Sequence, residues 1–378
     1  VGGAVRDYLL GKTPADYDLS TNATPEEIKK VFINYYTIST GIKHGTISVL
    51  IDNNLLEITT YREEAEYLDY RRPSKVNFVK SIEKDLARRD FTINAICYNK
   101  HFLDLFNGRK DLKNKIIKAI GDPHKRFSED ALRVLRALRF SSTLDFEIET
   151  NTKLAIYQDF PLLEKVAKER INIELTKLLL GVNPSKVFIE FGDYFEKYIL
   201  KFKLNPIVIK YLNQTEQDLK LRLVFLCVDL KKEEVVNFLK ELKYPNRIIK
   251  DVSEVIDYIN LEIPNTESVL LKLLKNINYE CLGIVLKIKN ILNNNQYEEI
   301  FRIYKNLKDK VVRLNNLKIN GNDLKKVGFK EGIQIKIILN KLLDDVILGL
   351  PNEKEVLIAK AKEYYKNGLD GYEWSTKT

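Results

Sequence analysis

Methionine is missing altogether from these 378 residues. A translated chain starts on one, so the sequence is not expected to be a complete primary product. Val1 reads as the end of a strand, and a helix and a strand are expected ahead of it. Cysteine is scarce: Cys97, Cys227 and Cys281 stand far apart, cannot all pair and show no metal-ligand spacing. That argues against a disulfide scaffold or a thiolate zinc site and fits a reducing compartment. With three histidines, a histidine-ligated zinc is not expected. No apolar run approaches the ~18 residues of a membrane-spanning helix. What is present is 44% apolar residues, enough for sizeable cores, over a length that predicts two or more domains.

The net charge is +9, and residues 281–378 hold eighteen Lys and Arg against twelve Asp and Glu. That end is a candidate nucleic-acid surface, or alternatively a solvated helical face.

Residues 1–121 mix strands and helices. "GTISVLID" (45–52) and "NLLEITTYR" (54–62) read as neighbouring strands joined at "DNN". "TPEEIKKVF" (24–32) reads as a helix with Thr24 as N-cap and Pro25 at the first helical position. Beyond 122 the strand signals fade. "SEDALRVLRALRFSSTL" (128–144) carries Leu132, Leu135, Leu138 and Phe140 at helical spacing, with Ser128 placed as N-cap. Further helices are predicted over 161–180, 184–199, 215–229, 232–242, 246–259, 266–276, 296–308, 322–327, 332–347 and 352–367. "NNN" (293–295) reads as a loop. The expected class is α+β at the N-terminal end and all-α after it.

Asp16 and Asp18 alternate about Tyr17, and in a strand positions i and i+2 share a face. Glu57 sits mid-strand in "LLEITT", where an apolar residue is expected. Three neighbouring acids raise one another's pKa values unless a cation holds them. Hard oxygen donors suit magnesium, and two such ions can activate a hydroxyl and stabilise a leaving pyrophosphate. Alternatively, Asp16 caps a turn and Glu57 faces solvent. Gly2 and Gly3 precede the helix "AVRDYLLG", a turn in which backbone N–H groups can approach a phosphate. Glu129, Asp130 and Arg133 fall within one helical turn, with Asp130 and Arg133 at i,i+3. A guanidinium fork beside a carboxylate can pair with a base edge, or simply form an ion pair. Arg136 and Arg139 continue that stripe and need an anion across them, either a triphosphate or nearby acidic side chains.

"GGAVRDYLLGKTPADYDLST" resembles the signature of the class II tRNA nucleotidyltransferase and bacterial poly(A) polymerase family, within the polymerase-β-like nucleotidyltransferases. Four more segments match in order. "YREEAEYLDYRRPSKVNF" (61–78) is similar to the family's flexible loop, "DLARRDFTINAICYN" (85–99) to its ribose-and-triphosphate motif, "DLFNGRKDL" (104–112) to its head–neck hinge, and "RFSEDALRVLRALRF" (126–140) to its nucleotide-selection helix. "LKINGNDLKKVG" (317–328) resembles a tail motif.

The resemblance implies an α+β N-terminal polymerase-β-like nucleotidyltransferase head (1–124), followed by an all-α neck (125–189), body (190–280) and tail (281–378). It implies addition of CMP, CMP and AMP from CTP and ATP to a tRNA 3′ end without a nucleic-acid template. The nearest alternatives are an A-adding enzyme and a poly(A) polymerase. More distant ones are a silent RNA-binding protein and an enzyme that modifies a small molecule. By resemblance, Asp16 and Asp18 hold two Mg²⁺ ions and Glu57 is the third acid. Gly3, Arg6, Arg89 and Asp90 meet the nucleotide, Asp90 at the ribose 2′-hydroxyl, and Asn94 orients them. Asp130 and Arg133 pair with the base, Glu129 positions them, and Arg136 and Arg139 extend the nucleotide site. Arg88 is alternatively a solvent-facing side chain. In the loop 63–73, Asp69 and Arg72 act as a lever in choosing the nucleotide, unless that loop is a passive surface. Lys43-His44-Gly45 matches a rim position, while His101 and His124 fall in connections. No histidine is given a catalytic role. The expected partners are tRNA, CTP and ATP, with no membrane, and the expected location is the cytoplasm.

Overall fold

The computed structural model describes residues 1–14, 16–64, 76–263, 266–293, 296–308 and 313–367. Two compact units result: Val1–Cys227 with Val236–Asn246, and Val228–Val235 with Arg247–Thr378. The division falls inside the segment expected as the body.

The first unit opens with α1 (Gly3–Leu9), β1 (Asp18–Thr21), α2 (Pro25–Val31), β2 (Tyr36–Ile38), β3 (Thr46–Ile51), β4 (Asn54–Thr60), β5 (Arg62–Glu64), β6 (Val76–Phe78) and α3 (Ile82–Ala87). It continues with β7 (Cys97–Asn99), β8 (His101–Leu103), α4 (Gly108–Lys113), β9 (Ile116–Ile117), α5 (Pro123–Glu129), α6 (Leu132–Leu144), β10 (Glu147–Ile148), α7 (Thr150–Asp159), α8 (Lys168–Leu179), α9 (Pro184–Phe195), α10 (Pro206–Ile209) and α11 (Leu219–Cys227). After it come α12 (Lys232–Glu241), α13 (Asn246–Ile259), α14 (Glu267–Leu273), α15 (Tyr279–Leu292), α16 (Glu298–Lys305), α17 (Gly321–Val327), α18 (Ile333–Ile347) and α19 (Lys354–Asn367).

The main sheet runs β1-β4-β3-β2. β1 lies parallel to β4, whereas β3 is antiparallel to both β4 and β2. Alternation along the strands decides which side is core. Ile47 and Val49 of β3 and Ile58 of β4 bury against Ile28 of α2. Their neighbours therefore point to the other face. Asp18, Glu57 and Ser48 occupy that face in one register row, so the acid in "LLEITT" is simply off the core side. α2 begins as expected: Thr24 and Glu27 form a reciprocal capping box, with Pro25 at its start.

Three helical expectations need correction. Ser128 does not cap a helix. Asp122 does so six residues earlier, accepting from the His124 N–H at 2.9 Å, with Pro123 at the first helical position. The Ser128 hydroxyl instead donates back to the Lys125 carbonyl. The stretch 128–144 is also not one helix, because Asp130 is extended (φ −142°, ψ 102°) between α5 and α6. Third, 161–180 divides into a 3₁₀ turn (Phe160–Lys165) and α8, with Val166 extended between them. α7 and α15 were not foreseen. α15 is apolar around most of its girth and carries Gly283, where a Cβ would stand 2.4 Å from the Tyr304 hydroxyl.

Candidate active site

A cavity of about 1040 Å³ opens in the first unit, lined by eight arginines and four aspartates. Asp16 and Asp18 stand in its wall. They do not occupy alternate positions of one strand, as expected. Asp18 is the first residue of β1, while Asp16 belongs to the bend before it. Glu57 is the register partner of Asp18 across the parallel pair. It is exposed and is not among the residues lining the cavity. Burial, followed by the Asp16 charge, pushes the Asp18 carboxyl above the ordinary range. A divalent cation would reverse that penalty, and two carboxylates opening on a cavity fit one.

The glycine turn lies beside this pair. Gly2 has φ +66°, and its N–H donates to the Ile96 carbonyl at 3.1 Å. A Cβ there would sit 2.7 Å from Arg89 Nη1, so close approach and left-handed backbone both require glycine. Gly3 follows as the first residue of α1, and Arg6, one turn on, donates to Asn94 Oδ1 at 2.7 Å. Asn94 Nδ2 donates in turn to Asp90 Oδ1 at 3.1 Å, and Arg89 Nη1 reaches the Asn94 carbonyl at 3.3 Å. Asn94 thus ties these groups together. Buried Asp85 anchors the arginines, accepting from Arg88 at 2.8 Å and from Arg89 at 3.4 Å. The hinge motif is packed onto the same turn. A Cβ on Gly108 would lie 2.1 Å from the Thr92 carbonyl oxygen, and the Thr92 hydroxyl donates to Asp111 at 2.7 Å.

Asp90 is buried and saturated. Oδ1 accepts from the Phe91 N–H and from Asn94, and Oδ2 from Arg136 Nε at 2.8 Å and Nη2 at 2.5 Å. Burial works to raise this carboxyl, but the Arg136 charge and the hydrogen bonds outweigh it and hold it well below the ordinary range. Four N–H groups fill about all a carboxylate can accept.

The α5–α6 break separates residues expected on one helical turn. The Arg133 N–H donates to the Asp130 carbonyl at 2.9 Å, but its guanidinium turns to other acceptors. Its Nη1 donates to Glu129 Oε2 at 2.7 Å and to the Arg126 carbonyl, and its Nη2 to the Arg88 carbonyl. Asp130 pairs instead with Arg170, near the start of α8, through hydrogen bonds of 3.2 and 2.8 Å. Asp130, Arg133 and Arg170 line the cavity, whereas Glu129 stands behind Arg133.

Arg136 and Arg139 do meet an anion, supplied by the protein. Besides Asp90, buried Glu174 of α8 lies 3.7 Å from Arg136 and 2.8 Å from Arg139 Nε, the latter out of hydrogen-bond line. Burial lowers Arg139 to about 10 against the pull of Glu174. The Phe140 ring carries Arg139 at 3.9 Å, Arg6 at 5.1 Å and Arg136 at 5.5 Å, a cation–π stack that spaces the three charges.

Asp85, Arg170, Glu174 and the role of Phe140 escaped the sequence reading. Asp85 had a signal, its i,i+3 and i,i+4 spacing to Arg88 and Arg89. Arg170 and Glu174 had none beyond the charge that Arg136 and Arg139 demanded. Of the histidines, His44 lines the cavity. His101 lies in β8 and His124 in α5, beside Asp159 at 2.9 Å, so neither is in a connection. Asp69 and Arg72 lie outside the described residues; β5 and β6, which flank their loop, pair antiparallel.

The sequence matches family models for the poly A polymerase head domain over residues 1–118, for tRNA nucleotidyltransferase domain 2 over 212–361, and for an RNA- and SrmB-binding site of polymerase A over 145–194. The CCA-adding enzyme of Ligilactobacillus salivarius is 41% identical over 96% of this chain and 91% of its own length. The chain belongs to the family of the CCA-adding enzymes. Within that family, the enzyme of Enterococcus faecalis is 38% identical over 97% and 92%. The crystal structure of the Bacillus stearothermophilus CCA-adding enzyme in complex with CTP matches with a TM-score of 0.84 at 28% identity, over 97% of this chain and 92% of that one. Nucleotidyltransferases of this family use a divalent metal ion, and the Asp16–Asp18 pair offers donors that suit one. Among the described residues, no helix is long and apolar enough to cross a membrane.

Proposed function

We propose that this enzyme adds CMP, CMP and AMP from CTP and ATP to the tRNA 3′ end without a template, releasing pyrophosphate. One observation carries the reading: a single cavity holds an aspartate pair suited to a divalent ion, a ring of arginines and a carboxylate and guanidinium suited to a base edge. Identity to CCA-adding enzymes over nearly the whole chain supports it.

In this proposal Asp16 and Asp18 hold two Mg²⁺ ions, with Glu57 beside Asp18 in the register as the third acid. When bound, the ions would lower the pKa of the attacking 3′-hydroxyl and neutralise charge on the leaving pyrophosphate. The protein groups do the rest. Gly3 presents the start of α1, and Arg6 and Arg89 counter triphosphate charge. Arg136 and Arg139 are held by Asp90 and Glu174 and add to that positive field. Because Asp90 is saturated, it acts toward the ribose through Arg136 and Asn94. Glu129 holds Arg133 so that its guanidinium, with the Asp130 carboxylate, reads the base. Asp69 and Arg72 are proposed to switch the pocket between additions. The proposed location is the cytoplasm, in keeping with three buried cysteines that form no disulfide.

The test uses tRNA ending at the discriminator base, incubated with CTP, with ATP, and with both. The expected products are CC with CTP alone and CCA with both. Long A tails would make this a poly(A) polymerase. Addition confined to one A on tRNA already ending in CC would make it the A-adding variant.

A further inference from the structure

Asp130 and Asp90 both line the cavity, yet they differ in how fully they are used. Asp90 accepts four N–H groups. Asp130 accepts three. The Leu132 N–H, at the first residue of α6, donates to Oδ1 at 3.2 Å, while Arg170 Nη1 donates to Oδ1 at 3.2 Å and Arg170 Nη2 to Oδ2 at 2.8 Å. A carboxylate offers about four acceptor positions. One position, on Oδ2, is therefore left.

We infer that Arg170 is a positioning residue for base selection: its fork fixes the carboxylate plane of Asp130 and leaves one acceptor position for a donor in the cavity. This rests on the reading of Asp130 as a base-reading residue. The chemistry selects by sign. Cytosine and adenine present an exocyclic amino group, which can donate to that position. Uracil and guanine present a carbonyl oxygen at the equivalent place, which would meet an ionised oxygen with no proton between them. The fork matters because Asp130 lies on an extended residue between two helices. Its Oδ1 is tied locally by the Leu132 N–H, but the plane about that tie is set from α8. Lysine has a single point charge and cannot hold both oxygens in one plane.

The experiment compares Arg170→Lys and Arg170→Ala with the unchanged full-length chain on tRNA. It measures kcat and KM for CTP against UTP, and for ATP against GTP, together with melting temperature. The expected result is a fall in both discriminations on the order of ten- to a hundredfold, the range of one good base-edge hydrogen-bond pair, larger than any change in kcat with CTP. The lysine variant should melt near the unchanged chain and still lose discrimination. In an Asp130→Asn background, Arg170→Ala should produce no further loss of discrimination. Two outcomes overturn the inference. One is unchanged discrimination, with CTP and UTP slowed alike, which would make Arg170 purely structural. The other is full additivity with Asp130→Asn. If the unchanged chain fails to extend tRNA with C and A, the proposed function falls instead, independently of any Arg170 result.

Discussion

Asp18 stores a penalty that only a cation or a proton removes. Burial and then Asp16 raise its carboxyl pKa, so the native state binds this proton more tightly than the unfolded chain does. Stability from this group then falls as pH rises through the interval between the ordinary value, near 4, and the raised one. Without metal, Asp18→Asn should therefore melt higher than the unchanged protein at pH 7, and the difference should vanish near pH 3. The same substitution, like Asp16→Ala, should lower transfer a thousandfold or more if, as proposed, it removes a ligand to ions that stabilise developing charge. Equal melting temperatures at pH 7 would remove the electrostatic argument, and near-native transfer would remove the catalytic one. Asp90 has the opposite sign. Its depressed carboxyl stabilises the fold above pH 4 and loses that contribution as pH falls toward its folded value. Arg136→Ala strands a buried carboxylate and should destabilise by about 3 kcal/mol, read by denaturant unfolding; a loss below ~1 kcal/mol would mean that Asn94 and the Phe91 N–H suffice. The acid pair was legible in the sequence as two carboxylates one residue apart, although Asp16 lies in the bend before β1 and not on the strand itself. Arg136 was legible only as a charge needing a partner, since Asp90 lies 46 residues away and nothing local names it.

Among the elements, the α8–α11 junction shows why boundaries resist reading. Arg222 is 1% exposed, and among the described residues it has no carboxylate partner in salt-bridge range. It donates instead to the Leu179 carbonyl, to the Gly181 carbonyl at 2.6 Å, to the Thr215 carbonyl at 3.1 Å and to Thr215 Oγ1 at 3.2 Å. The first two acceptors lie at the C-terminal end of α8, where helical carbonyls lack partners. One side chain thus caps α8 and fastens the turn before α11. Thr215 is drawn into that turn rather than into the helix expected over 215–229, which begins at Leu219. Arg222→Ala should leave these acceptors without donors and destabilise by at least ~3 kcal/mol, at ~1–3 kcal/mol for each unsatisfied group. Arg222→Lys should recover only part, having no fork to span two segments. Thermal unfolding with secondary structure as the readout decides it, and a shift under ~2 °C for the alanine variant would show that water replaces the guanidinium. Elements with a local cause were legible: α2 by its Thr24 cap and Pro25, β3 and β4 by the "DNN" turn between them. The α5–α6 break was not, since the partner of its extended residue Asp130 is Arg170, 40 residues away.

Across the whole molecule, the net charge of +9 divides unevenly along the chain. In the second unit, Lys326, Lys330, Lys336, Lys362 and Lys366 are all exposed. None of them is in an ion pair among the described residues, unlike Lys275, Lys325 and Lys354, which meet Asp344, Glu331 and Asp323. Paired lysines have little field left for a partner, whereas unpaired ones keep theirs. If these lysines grip the RNA backbone, each neutralised phosphate releases counterions, and affinity for tRNA falls as a power of salt concentration. Changing Lys326, Lys330, Lys336 and Lys362 together to Gln should flatten that slope by roughly 0.7–0.9 for each phosphate no longer neutralised. KM for tRNA should rise about tenfold or more at moderate salt, and KM for CTP should stay within about twofold. The CTP control matters because the cavity proposed to take the nucleotide belongs to the first unit, so a general loss of charge or of folding would move both constants. A salt slope identical to that of the unchanged chain would assign the excess charge to solvation alone, and the RNA grip would then have to come from the first unit.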